Sequence, residues 1–556
     1  MTIKSPLTES LAGRRGGVLT VLDESAFEHL DPGIAYFDQD YEVVYATQRP
    51  LYSYRPDSDQ AVPDLAAGPP VISPDARTVT VWIRRGVRFS PPVNREVTSA
   101  DVAYAIERGA DPNVANPYVY SYFYAIEGMP SADGGPIKGI RTPDAHEIVF
   151  KLTRPVGRIV ADALALPLTA PVPRSYAIRF DRRHPSDYED FEVATGPYMI
   201  RNSRAGKVLG VGYKPFRSVT LVRNPNWRRS TDFRPAYLNE IHIEIGSTNS
   251  AIGRRVLAGK DVLENEPPMQ AAVALAAERD PDQLEISPGA GSHYIGVNNA
   301  HGPFRNIDLR KALWAALDRE AMDRARGGPL VSTVASHFLY PTIPGFEEAG
   351  GLAGPKGPQF DFDEHPEGDM AIAEKYMRLA GYPTGRYTGS ERVTIVGARG
   401  EPAEEDAEMV NQTLLRLGFT TSFKLLEASA MYAEYCNVPK REVDVCPSVG
   451  WIADFADGET VLNLPFNGNY ITKTGNVNWG QTDVPAIDQA IEDAETITST
   501  SARAEAWARI DDELVEDATD IPFDWDNEPS IEGRGVNGVG DLWNIGAWDY
   551  SWTSLR

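Results

Sequence analysis

The chain has 556 residues, and at roughly 150 residues per domain two to four packed units are expected rather than one core. Lys plus Arg number 54 against 79 Asp plus Glu, a formal net charge of −25, which argues against nucleic-acid backbones and anionic lipid as main partners. With 42% hydrophobic, 10% aromatic and 24% charged residues, the composition is that of a soluble globular protein and not of a disordered one.

Residues 1–16 lack the apolar core of a secretory signal, which leaves open either retention inside the cell or a trimmed or misplaced start. No run approaches the ~18 apolar residues a spanning helix needs. Strands are predicted at 17–22 and 41–46, with a turn near Asp31-Pro32 between them. Residues 77–89 read as a strand, a Gly86 turn and a second short strand, and Thr98 with Asp101 forms a capping box opening a helix. Further strands are expected at 146–152, 218–223 and 240–246, the last with Ile241, Ile243 and Ile245 on one face.

The second half carries longer amphipathic helices. Leu309, Ala312, Leu313, Ala316 and Leu317 make a core-facing stripe within 308–325. The Pro/Gly-rich stretch 341–359 reads as a long surface loop. A helix at 369–380 ends at Gly381 before a strand at 393–397; a helix at 404–417 ends at Gly418 before a strand at 419–425; and helices at 485–497 and 501–517 precede a short segment at 521–525. The pattern is α/β.

Cys436 and Cys446 are the two cysteines. A local disulfide would contribute roughly 3 kcal/mol at most; two buried thiols are the other reading, and a zinc site would be two ligands short. The acidic run 361–369 lacks the glycine and closing glutamate of a calcium loop and reads as a solvated loop. The eight histidines make no obvious metal pair. Nucleophile-elbow, HExxH, Walker A and dinucleotide signatures are absent, although a carboxylate-pair hydrolase would leave no local signature.

An ordered set of segments, VWIRRGVRFS (81–90), VTSADVAYAIER (97–108), ATGPYMI (194–200), LVRNPNW (221–227), PFRNIDLRKALWAALDRE (303–320), AGYP (380–383), GWIADFADGETVLN (450–463) and AWARIDDELVEDATDIPF (506–523), resembles the extracytoplasmic solute-binding proteins of the oligopeptide/dipeptide ABC-transporter family, solute-binding protein family 5. The resemblance implies an α/β fold of the periplasmic-binding-protein type II kind, with two lobes joined by a hinge and the ligand enclosed where they meet. By analogy lobe I takes residues 17–48, 175–285 and 527–556, an inserted subdomain takes 49–174, and lobe II takes 286–526. The implied function is capture of a peptide or peptide-like ligand and delivery to the permease subunits of an ABC importer. It implies no cofactor, metal or catalysis, a monomer, and a periplasmic or lipoprotein location. A non-peptide solute such as a sugar, opine or metal chelate on the same scaffold is the other reading, and a hydrolase the third.

The family's W-x-x-D aspartate, which takes the ligand's amino terminus, matches Asp454. The backbone of Gly450 and Ile452 would then pair with the extended ligand as an added strand, and Trp451 would wall the pocket. Tyr118 matches a cleft tyrosine, with Tyr36 and Trp525 as weaker carry-overs. Asp454 as a structural cap or ion-pair partner and Trp451 as a core aromatic are the bland readings beside these. The arginine that holds the carboxylate of short peptides, six residues before the aspartate, is replaced by Ser448, so longer peptides, amines or another solute fit better.

Overall fold

The computed structural model describes every residue except 1–4, 6–9, 25, 117, 130–134, 265–269, 539 and 543–545. The chain divides into two compact units, Met1–Ser287 with Glu528–Arg556, and Pro288–Asn527. It passes from one to the other within the strands Leu284–Val297 and Ile521–Ile531.

Unit 1 is built on a six-stranded sheet in the order Val262–Glu264, Val18–Asp23, Glu240–Ile245, Ser218–Arg223, Tyr198–Ile200, with Tyr213–Lys214 also on Ser218–Arg223. Val18–Asp23 runs parallel to both neighbours. Ile241 and Ile243 are fully buried beside Leu19, Val21 and Leu221, and Ile245 packs on the edge of the same core. A separate four-stranded sheet holds Thr78–Trp82 between Val71–Ile72 and Glu147–Lys151, with Ile140–Asp144 outside. The helix Ser99–Gly109 carries the expected capping box of Thr98 and Asp101. Of the strand expected after Gly86, a single bridge, Arg88 to Glu96, is present.

Buried charges tie the 49–174 stretch to the rest of unit 1. Asp64 accepts Arg49 Nε at 2.6 Å and Arg234 Nη2 at 2.7 Å, while Arg234 Nε meets Asp232 at 3.1 Å, all at side chains 0–1% exposed. Burial would raise the Asp232 carboxyl, but Arg234 and Arg49 outweigh it and hold it below the usual carboxylate range. Arg108 does the same work further along, forking onto Asp31 at 2.8 and 2.7 Å and reaching Asp181 at 2.6 Å.

Unit 2 has a six-stranded sheet in the order Ser332–Val334, Ile521–Ile531, Leu284–Val297, Val445–Ile452, Arg392–Ala398, Thr420–Leu426. The last two are parallel and joined by the helix Ala403–Leu417, which ends at Gly418 with φ 99°. Cys436 and Cys446 form a disulfide, which brings the end of a short helical segment onto the Val445–Ile452 strand.

Four further sequence expectations change. Residues 41–46 lie in a helix, Asp38–Thr47, not a strand; Tyr41, Val43, Val44, Tyr45 and Ala46 are all buried, so burial on all sides, not alternation, produces the apolar run. The 308–325 helix is two, Ile307–Ala316 and Arg319–Arg326, because the Asp318 carboxylate caps the second by accepting from Ala321 N at 2.8 Å. The 341–359 stretch is not a surface loop throughout, since Ile343 and Phe346 enter the unit 2 core. Nor is 361–369 simply solvated: Asp363 is buried against Arg319 at 2.7 Å and accepts Trp314 Nε1 at 3.0 Å, and Asp369 caps Met370–Leu379.

Candidate functional site

The Val445–Ile452 strand pairs antiparallel with Leu284–Val297, Gly450 facing His293 and Ile452 facing Gly291. On its other side Arg392–Ala398 meets it only at Ile395–Val445. Among the described residues, its end from Val449 to Ile452 therefore has an outer edge with no strand beside it. Gly450 N–H points to that edge, since it donates to the Tyr432 hydroxyl at 3.3 Å, and the two-residue alternation of a strand sends the Ile452 amide the same way. Ile452 is 44% exposed. A side chain at 450 would meet His293 Nε2 at 3.0 Å, so glycine leaves room for the ring of its cross-strand partner.

Beyond the strand the chain turns through Ala453 and Phe455, both buried, with Asp454 half-buried between them. The other acids of the segment have structural tasks. Asp457 caps the helix Gly458–Phe466 and receives Arg503 at 2.6 and 2.8 Å. Glu459 is buried, and burial, then the neighbouring Glu495, pushes its carboxyl up to about 8. Trp451 is half-buried, donates its indole N–H to Thr460 O at 2.5 Å and stands edge-on to Trp479, with 6.1 Å between ring centroids. Its N–H is thus engaged, and what it presents is ring.

The tyrosines lie in unit 1. Tyr36 is 45% exposed and its ring centroid lies 5.6 Å from that of Tyr118. Tyr118 is itself 3% exposed and bonded to the Tyr41 hydroxyl, so it supports Tyr36 and offers little surface of its own. The expected ligand role of Trp525 does not fit its position. Its ring is 1% exposed, packed on His337 and Phe346 at 4.9 and 5.1 Å, with its N–H given to His337 O.

Sequence reasoning missed a charged group that adjoins Gly450. Arg326 Nε lies 2.6 Å from Asp524 and its Nη1 3.1 Å from Asp406; His293 Nδ1 is 2.9 Å from Asp526. Ser448 donates to Asp406 at 3.0 Å. Burial and then the Asp526 charge push the Asp524 carboxyl well above the usual range. At Asp526 burial acts upward too, but His293 and Arg326 outweigh it and the carboxyl is held low. His293, Asp524 and Asp526 offer donor atoms within 4.8 Å of one another, a spacing a metal ion could use. Arg326 already supplies the compensating cation there. The one sequence signal was the i, i+2 placement of Asp524 and Asp526 around core-facing Trp525.

Two α/β units woven from a discontinuous chain, one with an open strand edge flanked by charged and aromatic side chains, define the class of type II periplasmic binding proteins. The family model described as bacterial extracellular solute-binding proteins, family 5 (middle), matches residues 60–473, and the chain belongs to that family. The chain is similar in three dimensions to the clavulanic acid biosynthesis oligopeptide binding protein 2, with a TM-score of 0.83 and 26% identity over 99% of this chain and 96% of that one. The periplasmic oligopeptide-binding protein OppA of Escherichia coli is 21% identical over 457 residues, 81% of this chain and 76% of that protein. Heme-binding protein A of Haemophilus influenzae is 24% identical over 453 residues, 78% and 74% of the two chains. The family and fold expected from the ordered segments therefore hold. No helix among the described residues is long and apolar enough to cross a membrane.

Proposed function

We propose that the protein is the extracytoplasmic solute-binding component of an ABC importer, that it acts as a monomer without catalysis, and that its cargo is a peptide held through its main chain. The observation that carries this is the unpaired outer edge at Gly450–Ile452: an extended ligand adding there as a strand exchanges backbone hydrogen bonds whatever its side chains. The Gly450 bond to Tyr432 is long enough, at 3.3 Å, to yield to a ligand carbonyl. Names of relatives that specify oligopeptides support the same cargo.

Asp454 takes the ligand ammonium. It is half-buried, lies just past the strand end, and stands at the W-x-x-D position of the family resemblance. Trp451 walls the site with its ring, and of Tyr36 and Tyr118 it is Tyr36 that has surface to offer. Ser448 is buried and bonded to Asp406, and Arg326, which meets the same Asp406, is held by carboxylates. That arrangement provides no cationic clamp for a nearby C-terminus, which favours longer peptides over dipeptides. In domain terms, lobe I is 17–48, 175–285 and 527–556, its inserted subdomain 49–174, and lobe II 286–526.

Calorimetry of ligand-stripped protein with peptides of graded length tests the assignment. Asp454→Ala should weaken binding at least about tenfold, which is about 1.4 kcal/mol. Unchanged affinity would remove Asp454 from the site, and no heat with any peptide would remove the cargo.

A further inference from the structure

The strands Tyr213–Lys214 and Ser218–Arg223 of unit 1 are joined by a tight turn, closed by Arg217 N–H donating to Lys214 O at 3.0 Å. Pro215 takes the second position and Phe216 the third, with φ 59°. That is the type II pattern, whose third position belongs to glycine or asparagine because a Cβ there is strained. Phe216 is nevertheless a large aromatic, 77% exposed, the highest value among the exposed large hydrophobic residues described. The chain thus accepts backbone strain to hold outward a ring that stays mostly in solvent, the combination that marks a functional position.

The charges around it are equally out of character. Arg201, Arg204, Lys207, Lys214 and Arg217 are all exposed, and no Asp or Glu occurs from Tyr198 to Arg217, in a chain of net charge −25. Glu240 and Glu244 on the adjacent strand are taken up by Arg201 and Arg255, each at 2.6 Å. Arg204, Lys207, Lys214 and Arg217 form no ion pair among the described residues. Val211, 39% exposed, adds a second apolar side chain to the segment.

From this geometry we propose that the Lys214–Arg217 turn is a docking point for an anionic lipid surface, with Phe216 entering the headgroup boundary and Lys214 and Arg217, at the two corners of the turn, meeting lipid phosphates. A protein interface would need a contiguous apolar patch for its core; here a lone ring protrudes between cations, which suits interfacial insertion. The net charge repels the molecule as a whole from such a surface, so this segment is a local exception. Attachment through it is reversible, salt-sensitive and fixed in orientation. The inference does not depend on what the cargo is.

The test is co-sedimentation of the full chain with vesicles of phosphatidylglycerol and phosphatidylcholine, against vesicles of phosphatidylcholine alone, at low ionic strength. Wild type should partition to the anionic vesicles only, and salt should release it. Phe216→Gly removes the ring while suiting the positive φ, so it should keep or raise the melting temperature yet weaken vesicle binding about fivefold or more. The Lys214→Glu, Arg217→Glu double variant should abolish binding, and Phe216→Trp should retain it with a blue-shifted emission difference from wild type. No partition of wild type, or equal partition of all variants, would overturn the proposal. So would variants that bind vesicles normally but fail to engage a reconstituted permease, which would make the turn a protein contact.

Discussion

Asp454, Asp457 and Glu459 are three acids within six residues, and nothing in their spacing separates a ligand anchor from a helix cap. Packing gives two of them structural tasks: Asp457 accepts from the amide of Glu459 and from Arg503, and Glu459 accepts from Asn463. Trp525 shows the same limit from the other side, since a tryptophan in IPFDWDNE can face a ligand or a core, and here it faces the core while its neighbours Asp524 and Asp526 meet Arg326 and His293. A single residue also carries a pH signature. Glu192 is buried in unit 1, accepting from Gln48 Nε2 at 2.5 Å, and burial raises its carboxyl from 4.5 to about 8. The folded state holds the proton that the unfolded chain releases above about pH 4.5, so stability falls as pH rises from there toward 8. Glu192→Gln should therefore be nearly neutral at pH 5 and stabilising at pH 8, on the order of a few kcal/mol, by urea denaturation at the two pH values. Equal effects at both would show the carboxyl to be ionised in the fold.

Elements with one strong periodicity were legible. The Ala403–Leu417 helix, its Gly418 stop and the Thr420–Leu426 strand follow from an apolar stripe, a left-handed stop and alternation. The helix Asp38–Thr47 was not, because β-branched and aromatic residues at 41–46 carry strand propensity that tertiary burial overrides. The split at Leu317–Asp318 was hidden because the stripe runs straight across it, while the cap that breaks it is one carboxylate. Buried ion pairs between distant segments left no local trace. Asp64 precedes Arg234 by 170 residues and Arg49 lies further upstream still, yet they bind the 49–174 stretch to the segment between two strands of the first sheet. Asp64→Ala should cost roughly 3 kcal/mol, since it removes one of the carboxylates that two buried guanidinium groups share and leaves Asp232 to serve both, and Asp64→Asn less. A melting temperature unchanged by Asp64→Ala would show that the cluster does not hold this stretch in place.

At the scale of the whole molecule, the discontinuous organisation was readable only because segments occur in a set order along most of the chain, and the family match over 60–473 rests on the same signal. Length alone suggested several independent domains; the two units instead share strands Leu284–Val297 and Ile521–Ile531. The charge of −25 reads differently too, since the acid-free segment Tyr198–Arg217 is a local basic exception within it. Native mass spectrometry of the purified chain, followed by denaturing release, tests the central claim most directly: the account predicts an intact, co-purifying peptide that is depleted in Asp454→Ala, and a bound haem, sugar or other non-peptide solute in its place would contradict it.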